Sequence, residues 1–294
     1  MKKNITKELI LIGGGRWAKI YLDEIVKKKV KVNIVSSNKE LKKIFINHKF
    51  KDYEIFRKLT DINIKRNFYI IISNATEKRL NIIKKITHLK NEILIEKPLT
   101  NNPNNYFKYK LNKKNIYLGL QFSYSTYFKY IKKEIKNSKI ESLIINWFDN
   151  KNEKKKFNKN INFIEDAYYR FFSIIRIFIN NKNLINNYST VKKNKIVSTY
   201  NNTKIILNAS KNKKNKKRIL IIRTNKNKFI INFKDMNEIL IKKNEKLNTR
   251  IVKNIKNIPI QINNFFYKKK KIKKNSLENL NYLFSDLVKI KKCL

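Results

Sequence analysis

Apolar residues fall in unbroken short runs early in the chain and in alternation later. Leu9-Ile10-Leu11-Ile12 runs straight into Gly13-Gly14-Gly15, after which Ile20, Leu22, Ile25 and Val26 recur at helical spacing. This predicts strand, tight turn and helix. Val30 to Ser36 alternates and reads as a second strand, residues 39–47 as a helix, and Tyr53 to Phe56 as a short strand. Phe68 to Ser73 is a continuous apolar run, as in a strand buried on both faces, and Glu77 to Leu89 is an amphipathic helix with Leu80, Ile83 and Ile86 on one side. Glu92 to Glu96 is another short buried strand. Strand and helix alternate from residue 9 to residue 96, which implies right-handed βαβ units and a parallel sheet.

A helix is expected over 103–111, a strand over Ile116 to Phe122 and a helix over 124–137. The pattern then changes. Ile140 to Phe148 reads as a strand, 163–179 as a strongly apolar helix, and most of the remainder as β. Asn201-Asn202 between Ile196–Tyr200 and Thr203–Ala209 signals a hairpin, and Arg218–Thr224 with Phe229–Phe233 a second one, turning at 225–228. Ser276 is the expected N-cap of a last helix over 277–291, and 210–217 and 268–274 read as solvated, lysine-rich loops. The fold class is therefore α/β: an N-terminal Rossmann doubly wound parallel sheet over 1–122, then an α+β domain with a mostly antiparallel sheet over 123–294.

Composition changes the weight of the glycine cluster. The chain holds 4 Gly in 294 residues, three of them adjacent. The turn reads G-x-G-x-x-A at Gly13, Gly15 and Ala18, which suits a dinucleotide pyrophosphate. The first glycine permits the turn, the second lets backbone approach the phosphates, and the small alanine lets helix and strand pack. Arg16 and Trp17 flank the same loop, and Ser73 and Asn74, at the end of the Phe68–Ser73 strand, are further candidates for the cofactor. The bland reading is a purely structural turn. After the second strand come Ser36, Ser37, Asn38 and Lys39, where an NAD-type unit would carry Asp or Glu for the ribose hydroxyls. Hydroxyls and a lysine favour NADP over NAD, although Lys39 is also one lysine among many.

The charge is extreme: Lys+Arg 70 against Asp+Glu 21, net +49. Lysines spread along the whole length with abundant Asn and Ile, as an AT-rich genome would impose, and no nucleic-acid recognition motif accompanies them. Specific nucleic-acid binding is therefore not expected, although a basic nucleic-acid binder stays among the alternatives. One cysteine, Cys293, and two unpaired histidines, His48 and His88, argue against a disulfide or a metal site. No apolar run is long enough for a membrane span, and the N-terminal apolar stretch is too short for a signal peptide, so a cytoplasmic protein is expected.

Further motifs come in a telling order. Glu96-Lys97-Pro98 follows a strand, Gly119-x-Gln121 closes the first domain, Glu165-Asp166-Ala167 starts a helix, and Lys217 to Thr224 ends a β pair. With the glycine loop, these resemble the Gfo/Idh/MocA oxidoreductases, a family of two-domain NAD(P)-dependent dehydrogenases and reductases. The resemblance covers most of the chain. It implies that Glu96, Lys97 and Gln121 lie at the cofactor and that Lys97 touches the nicotinamide ribose and the reacting oxygen; in the family the Lys-Pro bond is often cis. It also implies a proton-transferring His four residues after Asp166. Position 170 is Arg instead. A guanidinium stays protonated near neutral pH and is no general base, but it binds carboxylate or phosphate through two parallel hydrogen bonds. Three readings stay open: Lys97 or a tyrosine (Tyr168, Tyr169 or Tyr124) handles the proton; the reaction is a carbonyl or imine reduction with a proton from water; or chemistry is lost and binding remains. A plain Asp166–Arg170 surface ion pair is the bland alternative. The expected function is hydride transfer between NADPH and a small polar substrate, a sugar derivative or a carbonyl or imine compound. The alternative is a non-catalytic dinucleotide-binding protein of the same fold. The expected partners are that substrate and a second copy through the second-domain sheet.

Overall fold

Three strands with unbroken apolar cores lie side by side in register: Ile12 pairs with Ile72, and Ile72 with Ile95. A computed structural model describes residues 7–28, 30–65, 68–150, 161–179, 183–186, 189–213, 216–232, 238–243, 246–253 and 257–294. The chain divides into two units, Met1–Gly119 with Ile258–Asn281, and Leu120–Asn257 with Tyr282–Leu294.

The first unit alternates as the pattern predicts: β1 (Lys7–Ile12), α1 (Arg16–Ile25), β2 (Val30–Val35), α2 (Leu41–Asn47), β3 (Tyr53–Phe56), β4 (Tyr69–Ile72), α3 (Thr76–Ile86), β5 (Glu92–Ile95), α4 (Asn104–Lys108) and β6 (Ile116–Leu118). All six strands are parallel, in the order β3-β2-β1-β4-β5-β6. Leu9, Ile10, Leu11, Ile70, Ile71, Ile72, Ile93, Leu94 and Ile95 are all fully buried, because helices cover both faces of such a sheet. The order reverses between β1 and β4, and ligands of open α/β sheets bind beyond the carboxyl ends of the strands at that point.

The second unit opens with a 3₁₀ turn over Gln121–Tyr124, shortening the expected 124–137 helix to α5 (Thr126–Glu134). There follow β7 (Ile140–Asn150), α6 (Phe163–Phe178), β8 (Thr190–Lys192), β9 (Lys195–Tyr200), β10 (Thr203–Lys213), β11 (Lys217–Thr224), β12 (Lys228–Asn232), β13 (Glu238–Lys243) and β14 (Lys246–Lys253). They form an eight-stranded sheet in the order β14-β13-β12-β11-β7-β10-β9-β8, antiparallel except where β10 runs parallel to β7. Asn201 and Asn202 both take positive φ, 46° and 61°, as the two-residue hairpin turn requires. Strand alternation sorts the sheet faces. Ile196, Leu207, Ile145, Leu220 and Ile231 form one buried row across five strands, on the face that α6 packs against. On the other face Ile206, Ile144, Ile221 and Ile230 form a parallel row that stays half-exposed.

The two expected lysine-rich loops are largely taken up by ordered elements. The 210–217 loop is largely taken up by β10 and β11, with 214 and 215 outside the described residues. Phe233, expected to end β12, also lies outside them. Beyond the sheet the chain is not β: α7 (Asn257–Tyr267) is a helix that buries Ile258, Gln261, Ile262 and Phe265, which repeat at helical spacing. The 268–274 loop is replaced by α8 (Lys269–Ile272) and a 3₁₀ turn, because Ile272 is fully buried. Residues 258–281 rejoin the first unit, a return that a single boundary near residue 122 has no place for. Ser276 makes no side-chain cap; it heads a 3₁₀ turn over Leu277–Leu280, and the last helix, α9 (Asn281–Lys292), starts only where the chain passes back to the second unit. No helix among the described residues is long and apolar enough to cross a membrane.

Asp286 anchors α9 in the second unit. Fully buried, it accepts from Tyr168 Oη at 2.7 Å and from the backbone N–H groups of Leu184 and Ile185 at 2.9 and 3.1 Å. Burial raises its pKa to about 6, against the lowering effect of these donors and of Lys289. The folded state thus holds this proton more tightly than the unfolded chain, so Asp286 contributes stability at low pH that is lost as pH rises through about 6. Its effect is at most about 1.4 kcal/mol per pH unit. The thermal midpoint of the wild type should therefore gain on that of Asp286→Asn as the pH is lowered from 7 to 5. A constant gap between the two midpoints across that range would remove Asp286 as the titrating group.

Candidate functional site

The site grows from the carboxyl ends of β1, β4 and β5. Gly13 leaves β1 at φ +130°, its N–H bonded to Val35 O at 3.1 Å. A β-carbon there would lie 2.8 Å from Asn74 N and 2.9 Å from Ser73 C, so the loop after β4 is packed against bare backbone. At Gly14 a β-carbon would collide with Ser36 Oγ, and Asn38 Nδ2 donates to Gly14 O at 2.6 Å. Gly15 differs from both. It caps α1 in an extended conformation, and a β-carbon built on it would meet nothing within 4 Å. α1 has no side-chain cap and no acid in its first turn, so neither offsets the positive end of its dipole beside Gly15. Ala18 is fully buried against the sheet, Trp17 is half-buried and Arg16 exposed. Ser73 Oγ donates to Ile12 O at 3.3 Å, whereas Asn74 Oδ1 is buried with no hydrogen-bond partner among the described residues. An unfilled volume beside Gly15, a helix start with no side-chain cap and an unmet buried acceptor fit a dinucleotide.

At the end of β2, Ser36 Oγ accepts the N–H of Asn38 at 3.0 Å, which fixes the hydroxyl oxygen in the loop and leaves its O–H able to donate. Ser37 and Lys39 are exposed. The next acid, Glu40, is paired with Lys19, which holds its carboxyl below the usual range. Asn38, which ties this loop to Gly14, is a link that sequence reading passed over.

Lys97 follows β5 through a cis Lys97–Pro98 bond and is half-buried. Two buried groups frame it. Glu96, fully buried, accepts from Tyr21 Oη of α1 at 2.7 Å. Gly119 makes room for that pair: a β-carbon there would approach Glu96 Oε2 to 3.1 Å and Tyr21 Oη to 3.2 Å. Arg79 of α3, 4% exposed, donates from Nε and Nη2 to Asn74 O at 3.0 and 2.7 Å and from Nη1 to the carbonyls of Glu96 and Pro98. One guanidinium thereby ties the loops after β4 and β5 together around Lys97. Neither Tyr21 nor Arg79 carries a sequence signal beyond its place on a helix packed against the motif strands.

The remaining candidates belong to the second unit. Gln121 begins its first 3₁₀ turn, and Tyr124 is buried. α6 is capped by Asn162, with Glu165 completing a capping box at 2.8 Å. Glu165 is thus a helix-start residue. Asp166 and Arg170 pair at 3.0 Å, with side chains only 15% and 23% exposed, and the guanidinium lies over the Trp147 ring. The expected ion pair therefore forms, but largely buried instead of on the open helix surface. Tyr169 is buried, and Tyr168 is committed to Asp286 in the core, which removes it as a proton carrier.

No protein-family model matches the sequence, and no curated protein is detectably similar to it. Solved structures are similar in fold over nearly the whole chain. A Gfo/Idh/MocA family oxidoreductase from Vibrio cholerae aligns at TM-score 0.70 and 11% identity, covering 98% of this chain and 100% of that one. A dehydrogenase from Clostridium difficile aligns at TM-score 0.71 and 18% identity, covering 98% and 99%. Levoglucosan dehydrogenase, in complex with NADH, aligns at TM-score 0.71 and 14% identity, covering 98% and 97%. The chain has the two-unit fold of these proteins.

Proposed function

We propose that this chain is an NADP-dependent oxidoreductase of the Gfo/Idh/MocA family, acting as a reductase on a small polar carbonyl, imine or sugar-derived substrate. The observation that carries the reading is Gly15, a glycine with open space at its β-carbon, in the same strand-end cluster as Lys97. Gly13, Gly15, Ser73 and Asn74 would hold the dinucleotide, with Ser37 and Lys39 toward its 2′-phosphate. The bound nicotinamide supplies or accepts the hydride. Lys97 Nζ stabilises negative charge on the reacting oxygen and donates its proton there, while Tyr21–Glu96 and Arg79 hold its loop. Arg170 cannot take a hydroxyl proton, which favours reduction over alcohol oxidation. A cytoplasmic location goes with this reading.

The test is a titration with NADPH, NADH and tripolyphosphate at one ionic strength, because a net charge of +49 attracts any polyanion. NADPH is expected to bind at least tenfold more tightly than either competitor, which is about 1.4 kcal/mol. Equal affinity for tripolyphosphate would reduce the site to bulk electrostatics. Assembly through the half-exposed isoleucine row of the eight-stranded sheet belongs to the same reading. Light scattering should show at least a dimer at micromolar concentration, and Ile144→Lys should dissociate it. A monomer in the wild type would exclude that interface.

A further inference from the structure

In the second unit, two guanidiniums share one indole. Arg170 of α6 and Arg218 of β11 lie over the Trp147 ring, their guanidinium carbons 5.0 and 4.3 Å from its centroid. Arg218 pairs directly with Trp147 across the sheet, so both project from the face that α6 packs against. Trp147 is 1% exposed. Asp149 holds Arg218, accepting from Nη2 at 2.9 Å and Nε at 3.3 Å, and takes the indole N–H at 3.3 Å. Arg170 donates from Nη1 alone, to Asp166 Oδ2 at 3.0 Å and Asp166 O at 3.1 Å.

Two carboxylates balance two guanidiniums, so the cluster closes in charge. It does not close in hydrogen bonds. Nε and Nη2 of Arg170 donate to no described residue, although the side chain is three-quarters buried. Those two nitrogens form one edge of the guanidinium, with parallel N–H bonds at the spacing of two carboxylate or phosphate oxygens. The Trp147 face keeps water from one side of the plane and fixes its orientation, and Arg218 adds positive field without competing for the same ligand atoms.

We propose that Arg170, backed by Trp147 and Arg218, is a subsite for an anionic group, a carboxylate or phosphate ester, on the substrate. Calling the ligand a substrate rests on the oxidoreductase reading; the binding of an anion here does not. The side chain that cannot act as a base then has its own task, which is to select charged substrates over neutral ones.

Trp17→Phe leaves Trp147 as the sole tryptophan and its emission as a local reporter. Glucuronate, glucose 6-phosphate and glucose share a ring and differ at one carbon. At fixed ionic strength, at least one of the two anionic probes should change Trp147 emission saturably, and glucose should not. Which anion responds identifies the group. Arg170→Gln should raise the Kd of that probe at least tenfold. Arg170→Lys, which keeps the charge but loses the fork, should raise it severalfold. Lys132→Gln, on the exposed side of α5, should leave it unchanged. An equal response to glucose, no saturable response to either anion, or equal affinity in the wild type and both Arg170 variants would overturn the subsite. An effect of Lys132→Gln as large as that of Arg170→Gln would do the same. NADPH binding, followed by the nucleotide's own fluorescence, fails separately if the oxidoreductase reading is at fault.

Discussion

Lys97→Ala should lower turnover by about 10²-fold or more, on the order of 3 kcal/mol of transition-state stabilisation, and leave the NADPH dissociation constant within about threefold. The split follows from the site's construction. The glycine loop is shaped by the close approach of Gly13 to Ser73 and Asn74 and of Gly14 to Ser36 and Asn38. The loop carrying Lys97 is held by Arg79 through its backbone carbonyls, so truncating the side chain leaves that loop tied. What is lost is a cation at the end of β5, beside the strand ends where a carbonyl oxygen would gain charge. Turnover followed by nicotinamide absorbance, together with an independent NADPH titration, separates the two quantities. A rate unaltered by the change would favour the non-catalytic dinucleotide-binding alternative, and a parallel loss of nucleotide affinity would make Lys97 a structural residue.

The second large effect lies in the glycine loop, where two adjacent-looking substitutions should behave oppositely. Gly13→Ala puts a side chain at φ +130° and drives its β-carbon into the backbone of Ser73 and Asn74. Strain and overpacking together should cost about 3 kcal/mol or more, roughly 6–12 °C in thermal midpoint. Gly15→Ala meets no atom of the protein, and its backbone is extended, so stability should change by less than about 0.5 kcal/mol. The new methyl would instead stand where the pyrophosphate must approach, and NADPH affinity should fall by about tenfold or more. Thermal melts and NADPH titrations of both variants check the contrast. If Gly15→Ala binds NADPH as the wild type does, the open space beside it is not the nucleotide cradle.

The glycine loop and the strand-end position of Lys97 were legible because their determinants are local. A run such as Leu9–Ile12 before three of the chain's 4 Gly has few other conformations to adopt, and Lys97-Pro98 after a buried apolar strand marks a strand end in a parallel sheet. The same locality predicted the Asn201-Asn202 hairpin, whose two positive φ angles asparagine tolerates. Helix α7 carried the correct spacing in Ile258, Gln261, Ile262 and Phe265, yet its isoleucines also alternate like a strand, and periodicity alone does not choose between two templates in so short a stretch.

Sequence by itself determined the order of elements in the first unit, the glycine loop and the position of Lys97, since each depends on residues within one turn or one strand. Only the tertiary structure decided which side chains hold those pieces. Tyr21 reaches Glu96 across 75 positions, Tyr168 reaches Asp286 across 118, and Arg218 meets Asp149 across 69. The pattern of apolar and polar residues records which face of an element is buried, but not which distant element lies against it. A buried tyrosine or arginine finds its hydrogen-bond partner only when the packed core has brought that partner within reach.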